Sequence, residues 1–271
     1  MLNSIIVSAI LLIDNYLLSA SVFGGLYVLR DQYTEVANKA KENYAQSTPW
    51  PENDEWHKYT YLHEKAIVEK WLKQLAFTDT ILLNAGSGGT IYRTEGQIIH
   101  LDIIEEYIKS FDRYIVGSVE KIDLPDCSVD GIICVGSVLN YADVQKAIGE
   151  FSRILRKNGF LIMEFERSDS AEFLFKKEHH NYVFCKEYIY NGHNHLLWMY
   201  SERHIRQILN QCGLKIKKCE RVHCFSTLLN RFGLSEQKAA RFCCFDSILQ
   251  PLSYSLAHNA LMLVRKKISS E

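Results

Sequence analysis

The sequence predicts an α/β fold built on a parallel sheet wound on both faces, and three observations carry that prediction. Short apolar runs recur between residues 81 and 163, each of a length that suits a buried strand. An amphipathic helical stripe separates the last two runs, as a crossover connection requires. A glycine-rich turn follows directly on the first run.

The chain has 271 residues, 47% hydrophobic and 23% charged, enough for one large domain with an embellishment. Leu2 to Leu29 is rich in Ile, Leu, Val, Ala and Ser, with Asp14 as its only charge. It lacks the basic region and cleavage site of a signal peptide, and Asp14-Asn15 would fall near the centre of a membrane span. Two short buried or partner-facing helices are expected there. Membrane-surface association through residues 2–29 is the alternative, and the apolar section makes a homodimer plausible.

From Tyr27 to about Gln46 the pattern is helical and mostly polar, and Ser47-Thr48-Pro49-Trp50-Pro51 marks a loop. Residues 1–60 therefore read as an N-terminal helical extension or cap, and residues 61–271 as the main domain. Ala66, Ile67, Trp71, Leu72 and Leu75 fall at helical spacing and lead into the core. The strands are expected at Ile81-Leu82-Leu83, Ile98–Leu101, Tyr114-Ile115-Val116, Gly131–Val135 and Phe160–Met163. Val144, Ala147, Ile148, Phe151, Ile154 and Leu155 form one helical stripe that ends at Asn158-Gly159. Ser201 caps a further helix with Ile205, Ile208, Leu209 and Cys212 on its apolar face, and Gly213 ends it before the strand-like Leu214–Cys219. A helical insertion over about 225–255 precedes a last apolar strand, Ala260–Val264.

Two elements carry chemistry together. Asn84-Ala85-Gly86-Ser87-Gly88-Gly89 places a glycine turn at the carboxyl end of the first strand, where a ligand can approach the backbone. Asp102 ends the second strand, where a carboxylate can accept from both ribose hydroxyls of an adenosine; its structural alternative is a charge at the start of a helix over Ile103–Ile108. The run is G-x-G-G, with Ile91 where a dinucleotide fingerprint wants Gly or Ala. Thr90–Gln97 is also too short for the full helix whose N-terminus a pyrophosphate needs. A nicotinamide-dependent oxidoreductase is thereby disfavoured, and adenosine without a diphosphate fits better.

Asn84–Gly89, His100-Leu101-Asp102, Gly117–Pro125, Val129–Ile133, Val138–Tyr141 and Arg153–Gly159, in that order, resemble the class I S-adenosylmethionine-dependent methyltransferases of the broad small-molecule group. The resemblance covers about residues 60–220 and the closing strand. It implies a Rossmann-like doubly wound sheet of about seven strands with a final antiparallel strand. It implies S-adenosyl-L-methionine as cofactor, bound along Asn84, Ala85, Gly86, Ser87 and Gly88, with Gly86 and Gly88 on the methionine and ribose side. Asp102 would hold the ribose, Ile103 cover the adenine, and Ser118 and Val119 meet its edge. Val135, Gly136 and Ser137 end the fourth strand next to the reactive methyl. The family often has an acidic residue where Asn84 and Ser118 stand, and a longer first crossover helix, so a specialised subfamily is implied.

The candidates for catalysis are Glu166, Tyr141 and His193. Glu164 and Glu166 follow the fifth strand, and alternation puts both carboxylates on one side if the strand continues. The competing reading pairs Glu166 with Arg167 or a surface lysine. Asn140 and Tyr141 sit past the fourth strand, in reach of an acceptor, with core packing of Tyr141 as the alternative. His179, His180, His193, His195 and His204 lie among many aromatics in and around 168–200. That segment suits a substrate lid or a structural hairpin better than a metal site, because no second spaced ligand pair completes one.

The formal net charge of -1 and pI near 6.8 speak against nucleic acid as a partner. Eight cysteines without a C-x-x-C pair suit free thiols in a reducing cytoplasm. The reading is an enzyme that methylates a small molecule, a sugar or a peptide end, with oxygen favoured over nitrogen because carboxylates and histidines can serve as base. The alternative is a non-catalytic adenosine-binding or partner module that keeps the fold.

Overall fold

The computed structural model describes residues 32–46, 54–190, 192–246 and 256–267. The apolar stretch 2–29, the loop 47–51 and the last part of the 225–255 insertion lie outside them. The first described helix, α1, covers 32–44. Then come α2 (Glu55–Leu75), β1 (Ile81–Ala85), β2 (Gln97–Asp102), α3 (Glu105–Ile108), β3 (Tyr114–Val116), β4 (Val129–Cys134), α4 (Val144–Ile154) and β5 (Leu155–Glu166). The hairpin β6 (Val183–Tyr190) and β7 (His193–Tyr200) follows, then α5 (Glu202–Gln211) and β8 (Leu214–Val222). Two short helices, α6 (Phe225–Arg231) and α7 (Glu236–Ala239), precede β9 (Asn259–Lys266).

Seven strands form one sheet in the order β3-β2-β1-β4-β5-β9-β8, and β6-β7 is a separate two-stranded ribbon. β3, β2, β1, β4 and β5 run parallel, whereas β9 is antiparallel to both β5 and β8. The expected doubly wound, Rossmann-like sheet with a final antiparallel strand is therefore present. β1 and β4 are nearly continuous apolar runs because both faces of the sheet are covered. On one face α4 buries Val144, Ala147, Ile148, Phe151 and Ile154, and Asp143 caps it by accepting from the amides of Gln145 and Lys146. On the other, α2 buries Val68, Trp71 and Leu72 against Leu82, Ile133 and Phe160.

α2 starts at Glu55, where Asp54 accepts from the amides of Trp56 and His57, and it runs unbroken past residue 60. The stripe of α4 ends sooner than its sequence suggests. Leu155 leaves the helix because it pairs with Val129 of β4, so the chain is already a strand before Asn158 turns it at φ +62°. Gly159 remains necessary, since a Cβ there would lie 2.9 Å from Arg156 O and 3.0 Å from Asp130 O. Ser201 caps α5 as expected, accepting from His204 N at 3.2 Å. The first crossover, 86–96, contains no helix. Among the described residues no helix is long and apolar enough to cross a membrane.

Glu202 at the start of α5 gathers three arginines. Its carboxylate lies 3.5 Å from Arg167 Nη2, 2.9 Å from Arg221 Nη2 and 2.5 Å from Arg206 Nη2. This cluster fastens the end of β5 to α5 and β8.

Candidate active site

Strand order reverses between β1 and β4, so a crevice opens outside the carboxyl ends of these strands. The glycine turn forms one wall. Gly86 has φ +69°, and a Cβ on it would lie 2.4 Å from Val138 Cγ2, so only glycine brings the backbone this close to the crevice. Gly86→Ala is expected to cost about 1–2 kcal/mol for the left-handed backbone alone, which thermal denaturation reads. The amides of Gly86 and Ser87 both donate to Leu101 O at 2.9 Å. Beneath the turn, Asn84 Nδ2 donates to Ser87 Oγ at 3.1 Å and to Thr90 O at 3.0 Å. Ser87 Oγ also meets His100 Nδ1 at 2.8 Å, and burial lowers the pKa of that ring to about 4. Asn84, Ala85 and Ser87 are buried and brace the turn from below, whereas Gly86 and Gly88 line the crevice.

Asp102 faces them from the end of β2, 6% exposed. Its Oδ2 accepts from Gly88 N at 2.7 Å and its Oδ1 from Ile104 N at 2.9 Å. Burial raises its pKa, against the opposing pull of the Gly88, Ile104 and Ile103 amides. A carboxylate has about four acceptor sites, so acceptor capacity remains for a hydroxyl of a ligand. Ile103, Val138 and Tyr141, with Ala40 and Tyr44 of α1 opposite, close an apolar cavity of about 110 Å³. It continues past Asp102 and Ile103 into one of about 80 Å³ against Ser118 and Val119.

The end of β4 has an unusual backbone. Gly136 at φ +98° and Ser137 at φ +57° are successive left-handed residues, and both amides donate to Glu164 Oε2, at 3.0 and 2.6 Å. Such a pair of amides makes a small anion-holding concavity, here filled by a side chain of β5. Glu164 is fully buried, and burial raises its pKa although Asn259, Ser137 and Gly136 all donate to it. Ser137 Oγ donates to Glu166 Oε1 at 2.9 Å, so the two carboxylates do share one side of β5. Val135 packs against the α2 side of the sheet and does not line these cavities.

Glu166 does not pair with Arg167, whose guanidinium faces Asp169 and Glu202. Its partner is His258, with Nε2 at 3.3 Å from Oε2. Burial alone would raise the pKa of Glu166, but the bond and charge of His258, then Lys186 and the Ser137 hydroxyl, bring it down to about 2. Burial pulls His258 down, and Glu166 and then Glu172 outweigh it, so its pKa is raised. Beyond this pair lies a cavity of about 380 Å³, walled by Trp56, Tyr188, Tyr190, Glu172 and Lys186. A narrower passage of about 60 Å³ past Gly136, Ser137 and Tyr141 connects it to the crevice.

Tyr141 stands at that junction. Its hydroxyl lies 3.2 Å from Tyr44 OH, Tyr188 OH and His195 Nδ1, and burial raises its pKa well above the ordinary value. Asn140 beneath it donates to Glu166 O at 3.0 Å and accepts from Glu166 N at 2.9 Å, which fixes the end of β5. His193 sits at the far end of the hairpin, opposite Tyr190, and lines none of these cavities. The neighbouring His195 is 1% exposed, with its pKa lowered to about 4 by burial, and occupies the inner position. No group of three or more His, Cys, Asp or Glu that could hold a metal ion gathers among the described residues.

Several residues that line this site escape sequence reasoning: Tyr44, Lys186, His258 and Asn259. One signal was available for the last two. A closing strand that runs antiparallel begins where the parallel strands end, so the residues entering it belong to the ligand side. The register Glu166 opposite Asn259 shows this placement.

A family model described as a methyltransferase domain matches residues 83–163. No curated protein matches the chain. Among solved structures, one from Listeria monocytogenes, provisionally described as an S-adenosylmethionine dependent methyltransferase, aligns at 11% identity over 76% of this chain and 100% of its own, with a TM-score of 0.54. A protein from Pyrococcus horikoshii OT3 aligns at 13% identity over 83% of this chain and 99% of its own, with a TM-score of 0.52. At these identities the likeness is one of fold.

Proposed function

We propose that this chain, a class I S-adenosylmethionine-dependent methyltransferase, methylates an oxygen of a small polar acceptor held in the cavity of about 380 Å³ beneath the β6–β7 hairpin. The residues of the crevice fit the cofactor: Gly86 leaves the room that a Cβ would fill, and Asp102 keeps acceptor capacity for ribose hydroxyls. When bound, S-adenosylmethionine supplies a methyl group already activated by its sulfonium.

The chain's own task is then to hold an acceptor in line, exclude water and take up a proton. One observation carries the assignment to oxygen: the Glu166–His258 pair lies where the passage and the outer cavity share their walls. The pair titrates as a unit. With His258 neutral it carries one negative charge and accepts the hydroxyl proton; with His258 protonated it is neutral and cannot. Tyr141, held by Tyr44, Tyr188 and His195, positions the acceptor rather than taking its proton, since burial keeps its hydroxyl protonated. Helix α1 and the hairpin close the two halves of the site from above, through Ala40 and Tyr44 and through Tyr188 and Tyr190. The cavity has the size of a drug-sized ligand, which suits a sugar, a small polar molecule or a peptide end.

Screening hydroxyl-bearing and amine-bearing acceptors with a methyl-labelled donor tests the reading. Turnover of a hydroxyl acceptor is expected to fall as pH drops through the raised pKa of His258. His258→Gln is expected to remove that limb without changing S-adenosylhomocysteine affinity. Cofactor binding with no transfer to any acceptor would instead point to a non-catalytic binding module.

A further inference from the structure

Two buried acceptors at the end of the sheet have no donor. Glu64 of α2 is 1% exposed and neither carboxylate oxygen has a hydrogen-bond partner; Asn259 at the start of β9 is 3% exposed and its Oδ1 has none either. Buried polar groups are nearly always satisfied, so a pair of exceptions in one region asks for a cause. The donors grouped around Glu164 are spent. Asn259 Nδ2 serves Glu164 Oε1 at 2.7 Å, and the Gly136 and Ser137 amides serve Glu164 Oε2. Asn84 gives both amide hydrogens to Ser87 and Thr90, so the end of β1 offers no negative charge.

Asn259 lines the passage together with Gly136 and Thr60, and Glu64 follows Thr60 by one turn of α2. What the region lacks is a cation with several N–H donors, which is the description of a primary ammonium group. We propose that Glu64 and Asn259 receive the α-ammonium group of the methyl donor, so that α2 supplies the carboxylate for its methionine end. This rests on S-adenosylmethionine being the cofactor. The cofactor is favoured over an acceptor amine by position: Glu64 bears on Tyr92, just past the glycine turn, and on Glu164, which holds Gly136, the glycine that the passage shares with the crevice.

Ionisation makes the assignment measurable. Burial first, then the charges of Glu164 and Glu166, hold the Glu64 carboxyl protonated well above its ordinary range. The other titratable groups around it are Tyr92, Cys134 and, on its own helix, Tyr61; burial raises the first two, so they stay neutral at pH 7. An arriving ammonium lets Glu64 ionise. Binding then releases a proton and tightens as pH rises.

Isothermal titration with S-adenosylhomocysteine and with its analogue lacking the α-amino group, in buffers of different ionisation enthalpy, tests this. The wild type is expected to release up to one proton with S-adenosylhomocysteine and to bind the analogue about 10- to 100-fold more weakly, as for a lost bond to a charged group. Glu64→Gln is expected to bind both ligands alike and to release no proton. Glu64→Leu, which removes the unpaired group, is expected to melt higher than the wild type without ligand, an outcome that a merely structural Glu64 would reverse. Wild-type affinity and discrimination in Glu64→Gln would overturn the proposal. So would ethylamine that stabilises the S-adenosylhomocysteine-saturated wild type but not Glu64→Gln, because the pocket would then belong to an acceptor. A wild type that binds neither nucleoside would overturn the cofactor reading itself.

Discussion

Glu202→Ala is expected to destabilise the protein by about 3–5 kcal/mol, the range for breaking a buried ion pair by removing one partner. Glu202 is 0% exposed and so is Arg167, whose guanidinium lies 3.5 Å from it. Burial pulls the pKa of Arg167 down against the opposing charges of Glu202 and Asp169, so the position disfavours an uncompensated charge. Asp169, at 3.6 Å, would remain as its acid, but Arg221 and Arg206 would lose the carboxylate that now holds them near each other. Equilibrium denaturation with urea measures the loss. Because Arg167 directly follows Glu166, a loosened β5 end should also disturb the Glu166–His258 pair, so turnover of a hydroxyl acceptor should fall as well. A change below about 1 kcal/mol, the ordinary worth of an exposed pair, would show that the cluster is not a strut of the site.

Asp102→Ala is expected to weaken S-adenosylhomocysteine binding by about 1.5–3 kcal/mol, roughly 10- to 150-fold in dissociation constant. The carboxylate has two tasks. It anchors the glycine turn through Gly88 and the start of α3 through Ile104, and it offers its remaining lone pairs to the crevice. Titration of the variant with S-adenosylhomocysteine and with adenosine separates these tasks. Removing a hydrogen bond to the ribose lowers both affinities by the same factor, whereas a displaced turn lowers S-adenosylhomocysteine more. An unchanged constant for both would remove Asp102 from the binding site.

How far the site was legible differs from residue to residue. The placement of Gly86, Gly88 and Asp102 at the crevice was readable because it depends on backbone conformation and on position at a strand end, and both leave marks in neighbouring sequence. Glu166 was readable as a carboxylate at the end of β5, but not its character. Its partner, His258, is 92 positions away along the chain, and that separation is what turns a candidate free base into half of an ion pair. The histidine-rich segment pointed to the right hairpin and to its outer end: His193 lies at the tip, and His195 meets Tyr141. Strand alternation sends both histidines to one face, so only the distance along the hairpin distinguishes them. The side-chain bonds of Asn84 to Thr90 and of Ser87 to His100 could not be read locally, because they depend on how the turn folds back on β2.

The sequence by itself determined the doubly wound sheet, the glycine turn and the carboxylate at the end of β2, while the methyl donor came from the family resemblance of the ordered motifs. These follow from short-range rules: period, turn chemistry and the order of apolar runs. Only the tertiary structure decided which groups meet across the crevice. Helix α1 covers the crevice, β9 enters antiparallel and delivers His258 and Asn259 to the ligand side, and α2 buries Glu64 without a partner. The physical reason is that charge states and hydrogen-bond partners depend on burial and on neighbours distant in the chain, and no local pattern records either.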